Sequence, residues 1–453
     1  MSDVFLSLLQ HNEPWVRHNH AHYCRVQGLR HVVVDLSNAP SAQIRLILQI
    51  EAMLHHLLRL PEGGLLVCAS DQVCVYGPQH PVSEIAAGHE HLLSQMWVLG
   101  VPQQQAQRVY DLQVWRRTPA VLQQLWDALA ASKLASSTPV PADELFGHLP
   151  WLAPDQYVNG RLLALECQQS TYVRWRGRPD VWCLVMRTRP GEWMPAAYRR
   201  VLFEAVNRMQ AGGPDLFDMV PQPVPPEEPY TVQQPQGRIA LVMLYTPNIR
   251  FYAQFADSNV ARYCARHGYA FHVYRDIPAG MPPGVSGNWL KPHLLQQHLP
   301  EHDWVVWVDA DMMFLDQSQP LEPLLQGRDV LAAHDIGNWM LNSGLLGFRH
   351  TPDNAQLLAD VVALSEQVSD RSSVYARGGD QQVFCDVLIR QRGWTLPDGS
   401  DCLSINTPWF YRQADSLCVH YYGMIPEARA LLMADDDQRA RQREAAAAAA
   451  ATA

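Results

Sequence analysis

The chain has 453 residues, 47% of them hydrophobic and 18% charged, with a formal net charge of −10. That length predicts two domains with ordinary buried cores. The negative balance argues against a general nucleic-acid binder, so nucleic acid is not an expected partner.

The N-terminus, "MSDVFLSLLQHNEPW", has an early acid, no basic region and only a short apolar run, so it does not read as a signal peptide. No segment reaches the ~18–20 apolar residues that span a bilayer, so no integral membrane segment is expected. Nine cysteines with no CxxC pair read as buried reduced thiols, and the expected location is cytoplasmic. Residues 221–236, within "PQPVPPEEPYTVQQPQG", are rich in Pro, Gln and Glu and read as a stiff linker. They separate a first domain, 1–220, from a second, 237–430. Residues 431–453 turn charged and then poly-alanine, which reads as a frayed helix or a disordered tail without chemistry.

In the second domain, "RIALVMLYTP" reads as a buried strand ended by Pro247. "FYAQFADSNVARYCARHG" has helical spacing and stops at Gly268. "YAFHVYRD" reads as a strand, "WLKPHLLQQHL" as a helix and "DWVVWVDADMMFL" as a strand. The alternation predicts an α/β fold with a mixed, mostly parallel sheet, in which ligands bind beyond the carboxyl ends of the strands. Asp309 and Asp311 fall at such an end. Two carboxylates two apart on an extended segment point the same way, and hard oxygen ligands suit Mn²⁺ or Mg²⁺.

Further along, "MLNSGLLGFR" places Asn342, Ser343 and Gly344 between apolar residues, where small side chains allow close approach to a ligand. The bland alternative is an ordinary turn before a strand. "ARGGDQQVF" puts Asp380 and Gln381 ahead of a helix-like run, where Asp380 could equally be an N-cap. "LCVHYYGM" puts His420 after an apolar strand, and beside two metal-facing aspartates an imidazole suits a third ligand. Lys291, in "GNWLKPHLL", is a good point-charge partner for phosphate, although a surface lysine reads the same way.

The first domain repeats much of this pattern. "NHAHYCRVQGLRHVVV" parallels "NVARYCARHGYAFHVY", with Asn19, Tyr23, Cys24 and Gly28 on Asn259, Tyr263, Cys264 and Gly268. At that offset Ala69 falls on Asp309, Asp71 on Asp311 and Glu51 near Lys291, with a one-residue slip possible at "LRLPEGG". "VWRRTPAVLQQLWDAL" parallels "GFRHTPDNAQLLADVV", and "APDQYV" weakly parallels "GGDQQVF". Four matches in one order favour duplication over coincidence.

The ordered set "NVARYCARHGYAF", "WLKPHLL", "WVVWVDADMMFL", "LNSGLLGFR", "GGDQQVF" and "VHYYG" resembles retaining glycosyltransferases of the GT-A fold. It is most similar to the galactosyl/xylosyl/mannosyl transferase family 34, and more loosely to the glycogenin-like family 8. The resemblance covers about Arg238 to Gly423. It implies two tandem GT-A-like domains, the first a degenerate copy. It implies transfer of a hexose or pentose, with retained configuration, from a UDP- or GDP-sugar to a glycan or small-molecule acceptor. Asp309, Asp311 and His420 would hold Mn²⁺ or Mg²⁺ on the diphosphate. Asn342, Ser343, Gly344, Asp380 and Gln381 would line the donor-sugar pocket, with Asp380 or Gln381 facing the reacting carbon. Lys291 would approach the donor, and Asp335 would touch sugar hydroxyls. The family 8 pattern has a lysine soon after the late His-x-x-Gly, where this chain offers only Arg429. The alternative is a nucleotide- or sugar-binding pseudo-glycosyltransferase without turnover. Donor sugar, acceptor and oligomeric state are not set by the sequence.

Overall fold

A computed structural model describes residues 3–96, 107–135, 145, 157–158, 161–166, 181–189, 192–193, 195–214, 218, 228–281, 284–336, 339–396, 402–413, 416–424 and 426–452. The chain forms two compact units, Met1–Met219 with Gly423–Ala428, and Val220–Tyr422 with Arg429–Ala453.

The first unit runs β1 (Val4–Leu9), α1 (Pro14–Gln27), β2 (Arg30–Asp35), α2 (Ala42–Leu57), β3 (Leu65–Ser70), β4 (Val73–Val75), β5 (His91–Met96), β6 (Gln107–Arg116), α3 (Pro119–Leu134), β7 (Tyr157–Val158), β8 (Arg161–Glu166), β9 (Val181–Val185), β10 (Arg187–Arg189), β11 (Glu192–Trp193) and α4 (Ala196–Gln210). Its main sheet has the order β2-β1-β3-β6-β5, and only β6 runs against the others.

The second unit contains β12 (Tyr230–Gln233), β13 (Ile239–Leu244), α5 (Arg250–His267), β14 (Ala270–Tyr274), α6 (Lys291–His298), β15 (Trp304–Val308), β16 (Met312–Phe314), β17 (Val330–Ala333), β18 (Asn342–Arg349), α7 (Pro352–Glu366), α8 (Gly379–Phe384), β19 (Thr407–Pro408), β20 (Cys418–His420) and, from Arg429, α9 (Pro426–Thr452). Its sheet has the order β12-β14-β13-β15-β18-β17, with β12 and β18 antiparallel to the rest. Every residue of β13 and β15 is buried, which is why both read as unbroken apolar runs rather than alternating ones. The fold is α/β with mixed, mostly parallel sheets.

The order β2-β1-β3-β6-β5 recurs as β14-β13-β15-β18-β17. Local devices recur with it. Helices α1 and α5 both end at a glycine with positive φ, 67° at Gly28 and 75° at Gly268. Only a residue without Cβ takes that conformation cheaply. Thr118 and Thr351 cap α3 and α7 by accepting from Val121 and Asn354 N–H. Most telling is one asparagine in each unit. The Asn19 amide donates to Val75 O and accepts from Val75 N–H, and the Asn259 amide does the same with Phe314.

That pairing fixes the register between the copies one residue away from the simple sequence offset. Val75 stands on Phe314, so Ser70 stands on Asp309 and Gln72 on Asp311; Ala69 and Asp71 do not. Strand pairing agrees: Ala69 lies opposite Leu112 as Val308 lies opposite Leu345. Val73 opposes Val185 as Met312 opposes His420, so Val185 takes the histidine's place. Asp71 accepts instead from the backbone N–H groups of Gln10 and His11. Glu51 pairs with Lys133 on α3, 2.6 Å away.

Other expectations change. The DxD segment is not one strand: Asp309–Asp311 forms a turn between β15 and β16, closed by Met312 N–H to Asp309 O. Residues 230–233 of the expected linker form edge strand β12, where a proline-rich flank costs no central ladder bond. The expected tail is the helix α9, with Leu432, Met433 and Ala440 buried and Asp437 and Glu444 paired to Arg262. Of the "APDQYV" stretch only Tyr157–Val158 is described; it is a strand, whereas "GDQQVF" is helical.

Replacing Asn19 or Asn259 by Ala would strand the buried N–H of Val75 or of Phe314, while their carbonyls keep the amides of Gln210 and Gln317. Each such group costs about 1–3 kcal/mol. Both variants are expected to lose stability comparably in denaturant unfolding, and indifference of either would show that its clamp is dispensable.

Candidate functional site

Four segments of the second unit converge on one buried ammonium. Lys291, the first residue of α6, is 1% exposed. Its Nζ lies 2.7 Å from Asp380 Oδ2 and 3.1 Å from Asp309 Oδ1, and donates to Ser343 O at 2.9 Å and Ser343 Oγ at 3.1 Å. A buried ammonium survives only when charge and hydrogen bonds replace its water. Burial works against the charged form, yet Asp309 and Asp380 overcome it and raise the lysine above its ordinary value.

Asp380 is held in turn by Ser343 Oγ and Asn288 Nδ2, each donating at 3.1 Å. Gln381 accepts from Ser343 N–H at 2.9 Å. Its amide oxygen is therefore engaged, and what it offers a ligand is its amide hydrogens.

Asp309 and Asp311 come together because the turn brings them together. Their carboxylates and His420 form a three-residue cluster whose ligand atoms lie within 4.8 Å of one another. His420 Nε2 is 3.2 Å from Asp311 Oδ1 and 3.8 Å from Asp309 Oδ2. The other ring nitrogen, Nδ1, meets Asn406 Oδ1 at 3.1 Å. A carbonyl oxygen only accepts, so Nδ1 carries a proton, which leaves Nε2 to pair with the carboxylates when protonated or to ligate a metal ion when not. Asn406 donates to Asn342 Oδ1, which also accepts from Gly344 N–H, while Asn342 Nδ2 donates to Asp335. Gly344 is required because a Cβ there would collide with the His420 ring.

The two aspartates differ electrostatically. Burial pushes Asp309 above the usual carboxylate range, and Lys291 and His420 offset this only in part. Burial opposes ionisation of Asp311 too, but Arg429 and His420 outweigh it and hold it well below its ordinary value. Arg429, on α9, lies 3.0 Å from Asp311 Oδ2 and over the Tyr252 ring at 4.8 Å. Three carboxylates thus meet two permanent cations, which leaves a negative surplus suited to a divalent ion.

All ten expected residues therefore lie in one connected network. Asp309, Asp311 and His420 form the ligand set. Lys291, Ser343, Asp380 and Gln381 form a neighbouring cluster. Asn342, Gly344 and Asp335 sit behind the histidine, where they brace it through Asn406. Sequence reasoning missed Asn406, Asn288 and the Trp307 indole, which donates to Asp309 Oδ1 at 2.6 Å. Asn288 and Trp307 lie inside quoted segments and Asn406 outside them, but none carries a spacing signal of its own, so only folding reveals their contacts. Arg429 was visible as the nearest late cation, but not its contact.

Residues 245–355, which carry the DxD turn and the Asn342–Gly344 trio, match the model of the galactosyl transferase GMA12/MNN10 family. Within the second unit, this segment is similar to that glycosyltransferase family. That match supports glycosyltransferase activity and, with it, glycosyl transfer as the reaction class. No curated protein matches the chain in sequence. Among solved structures, a glycosyltransferase involved in glycosylation of the major capsid of PBCV-1 is 20% identical, covering 44% of this chain and 98% of that one, with a TM-score of 0.36. The galactosyltransferase LgtC is 14% identical over 43% of this chain and 95% of its own, with a TM-score of 0.29. Mouse xyloside xylosyltransferase 1 is 14% identical over 41% and 97%, with a TM-score of 0.26. With all three scores below 0.5, the assignment rests on the family match. Among the described residues no helix is long and apolar enough to cross a membrane.

Lys291→Met would leave Asp309 and Asp380 facing each other without their shared cation, at an expected cost of about 3–5 kcal/mol. Losing the cation moves the already raised Asp309 further up. Its protonation on acidification then begins at higher pH than in the parent protein. Denaturant unfolding and carboxyl NMR titration read the two effects, and an unmoved Asp309 titration would refute the coupling.

Proposed function

We propose that the second unit transfers a hexose or pentose from a nucleoside diphosphate sugar to a glycan or small-molecule acceptor. The observation that carries this is the convergence of Asp309, Asp311 and His420 Nε2 beside two buried cations, within the segment that matches a glycosyltransferase family.

The donor set, two carboxylates and a neutral imidazole nitrogen, fits Mn²⁺ or Mg²⁺. When bound, such an ion neutralises the charge that grows on the leaving diphosphate. Arg429 adds a fixed positive charge beside Asp311, in the role that a late lysine plays in family 8. Asn406 fixes the His420 tautomer, and Lys291 holds Asp309 and Asp380 apart at a set spacing. The departing sugar becomes oxocarbenium-like. In this reading Asp380 is the carboxylate that faces it, and Gln381 offers amide hydrogens to a sugar hydroxyl. No side chain is assigned as a covalent nucleophile; the reading is front-face attack with retained anomeric configuration.

The first unit keeps the architecture with Ser70, Gln72 and Val185 where the second has Asp309, Asp311 and His420. None of these is a good ligand for a hard divalent ion. The reading is that the first unit is a degenerate copy without turnover.

The test is release of nucleoside diphosphate and transfer of sugar across a panel of UDP- and GDP-sugars with Mn²⁺. Parent protein should turn over at least one donor, with the product anomer retained by NMR. Asp309→Ala with Asp311→Ala should fall by on the order of 10²–10³ or more. Full turnover in that double variant would sink the proposal, and nucleotide binding without cleavage of any donor would favour a binding protein instead.

A further inference from the structure

The amino ends of β13 and β15, opposite the DxD turn, hold a second convergence that the proposed reaction does not use. His272 lies on β14, His298 ends α6, and Glu301 and His302 follow within four residues. All three histidines are buried, 2–4% exposed, while the Glu301 side chain is 56% exposed. One ligand atom from each of His272, His298 and Glu301 lies within 4.8 Å of the others. His302 Nε2 lies beside this trio, 2.9 Å from His272 Nε2 and 3.9 Å from Glu301 Oε2. His298 Nδ1 is 2.9 Å from Glu301 Oε2.

The outward nitrogens are the informative ones. His302 Nδ1 meets Gly237 O at 2.8 Å, His272 Nδ1 meets Tyr230 Oη at 2.8 Å, and His298 Nε2 meets Tyr274 Oη at 2.8 Å. Each of these oxygens can accept a ring N–H. Each imidazole can therefore place its proton outward and its lone pair inward, the arrangement that orients metal-bound histidines. Three lone pairs and a carboxylate facing one another repel unless a cation lies among them. Hydrogen bonding alone would require some inward nitrogens to keep their protons.

We propose that His272, His298, Glu301 and His302 form a second metal site, of zinc type, distinct from the Asp309–Asp311–His420 cluster. Three imidazole nitrogens and one carboxylate oxygen suit tetrahedral Zn²⁺. Four protein ligands complete that coordination, so the site is structural. It would staple the carboxyl end of α6 to β14, while the amino end of the same helix presents Lys291 to the donor site. Exposed Glu301 provides the entry path.

The test uses the full chain carrying Asp309→Ala and Asp311→Ala, which removes the carboxylates of the other cluster. After exposure to Zn²⁺ and gel filtration, elemental analysis should find one equivalent of zinc per chain. Co²⁺ should give the visible absorption of a tetrahedral site, and Zn²⁺ should raise Tm. Adding Glu301→Gln, a change at an exposed side chain, should weaken Zn²⁺ at least tenfold, and adding His302→Asn should abolish retention. The proposal is overturned if the double variant retains no zinc, which would leave a hydrogen-bonded histidine network. It is equally overturned if zinc survives both further substitutions unchanged. Neither result bears on glycosyl transfer.

Discussion

The second unit is organised around a positive charge out of water. Lys291 brings its ammonium from the start of α6 to the point where the turn after β15, the first residues of β18 and the start of α8 meet. The partners that make its burial tolerable, Asp309, Ser343 and Asp380, each come from a different one of those segments. Taking such a charge out of water costs several kcal/mol unless the geometry is good. The requirement therefore fixes where three segments stand. The carboxylate that the lysine holds is also a member of the metal-type cluster, so folding and chemistry share one ion pair.

From that pair the network grows in two directions. Toward the metal-type cluster, His420 is oriented by Asn406, which is oriented by Asn342, which is held by Asp335. Toward α9, Asp311 meets Arg429, whose guanidinium lies on Tyr252. The two aspartates consequently sit in opposite electrostatic states, one pushed toward the protonated form by burial and one held ionised by arginine. One carboxylate is thus held firmly ionised while the other answers to its surroundings.

The two units show the same architecture with and without this cluster. Strand order, helix caps and the asparagine clamp on the strand after the turn are kept in both. These belong to the backbone's need to satisfy buried N–H and C=O groups, which does not depend on what the turn carries. The residues at the metal-type positions differ in all three places. The sequence offset alone misplaced them by one residue, because the slip sits in a loop where spacing is cheap to change.

Strands, helices, the α/β alternation, the recurring pattern and most residues that meet at the candidate site were legible in the sequence. Burial period, caps and ordered motifs are local properties. The convergence of the aspartates was expected for the wrong reason, strand alternation, where a turn does it. Asn342 and Gly344, read from the sequence as pocket lining, also support His420. The meeting of Arg429 with Asp311, the tautomer set by Asn406, the register between the copies and the histidine cluster at the far end of α6 were decided only by the tertiary structure. Each depends on side chains distant in sequence sharing one small volume, and hydrogen-bond direction and charge balance have no meaning until those partners are in place.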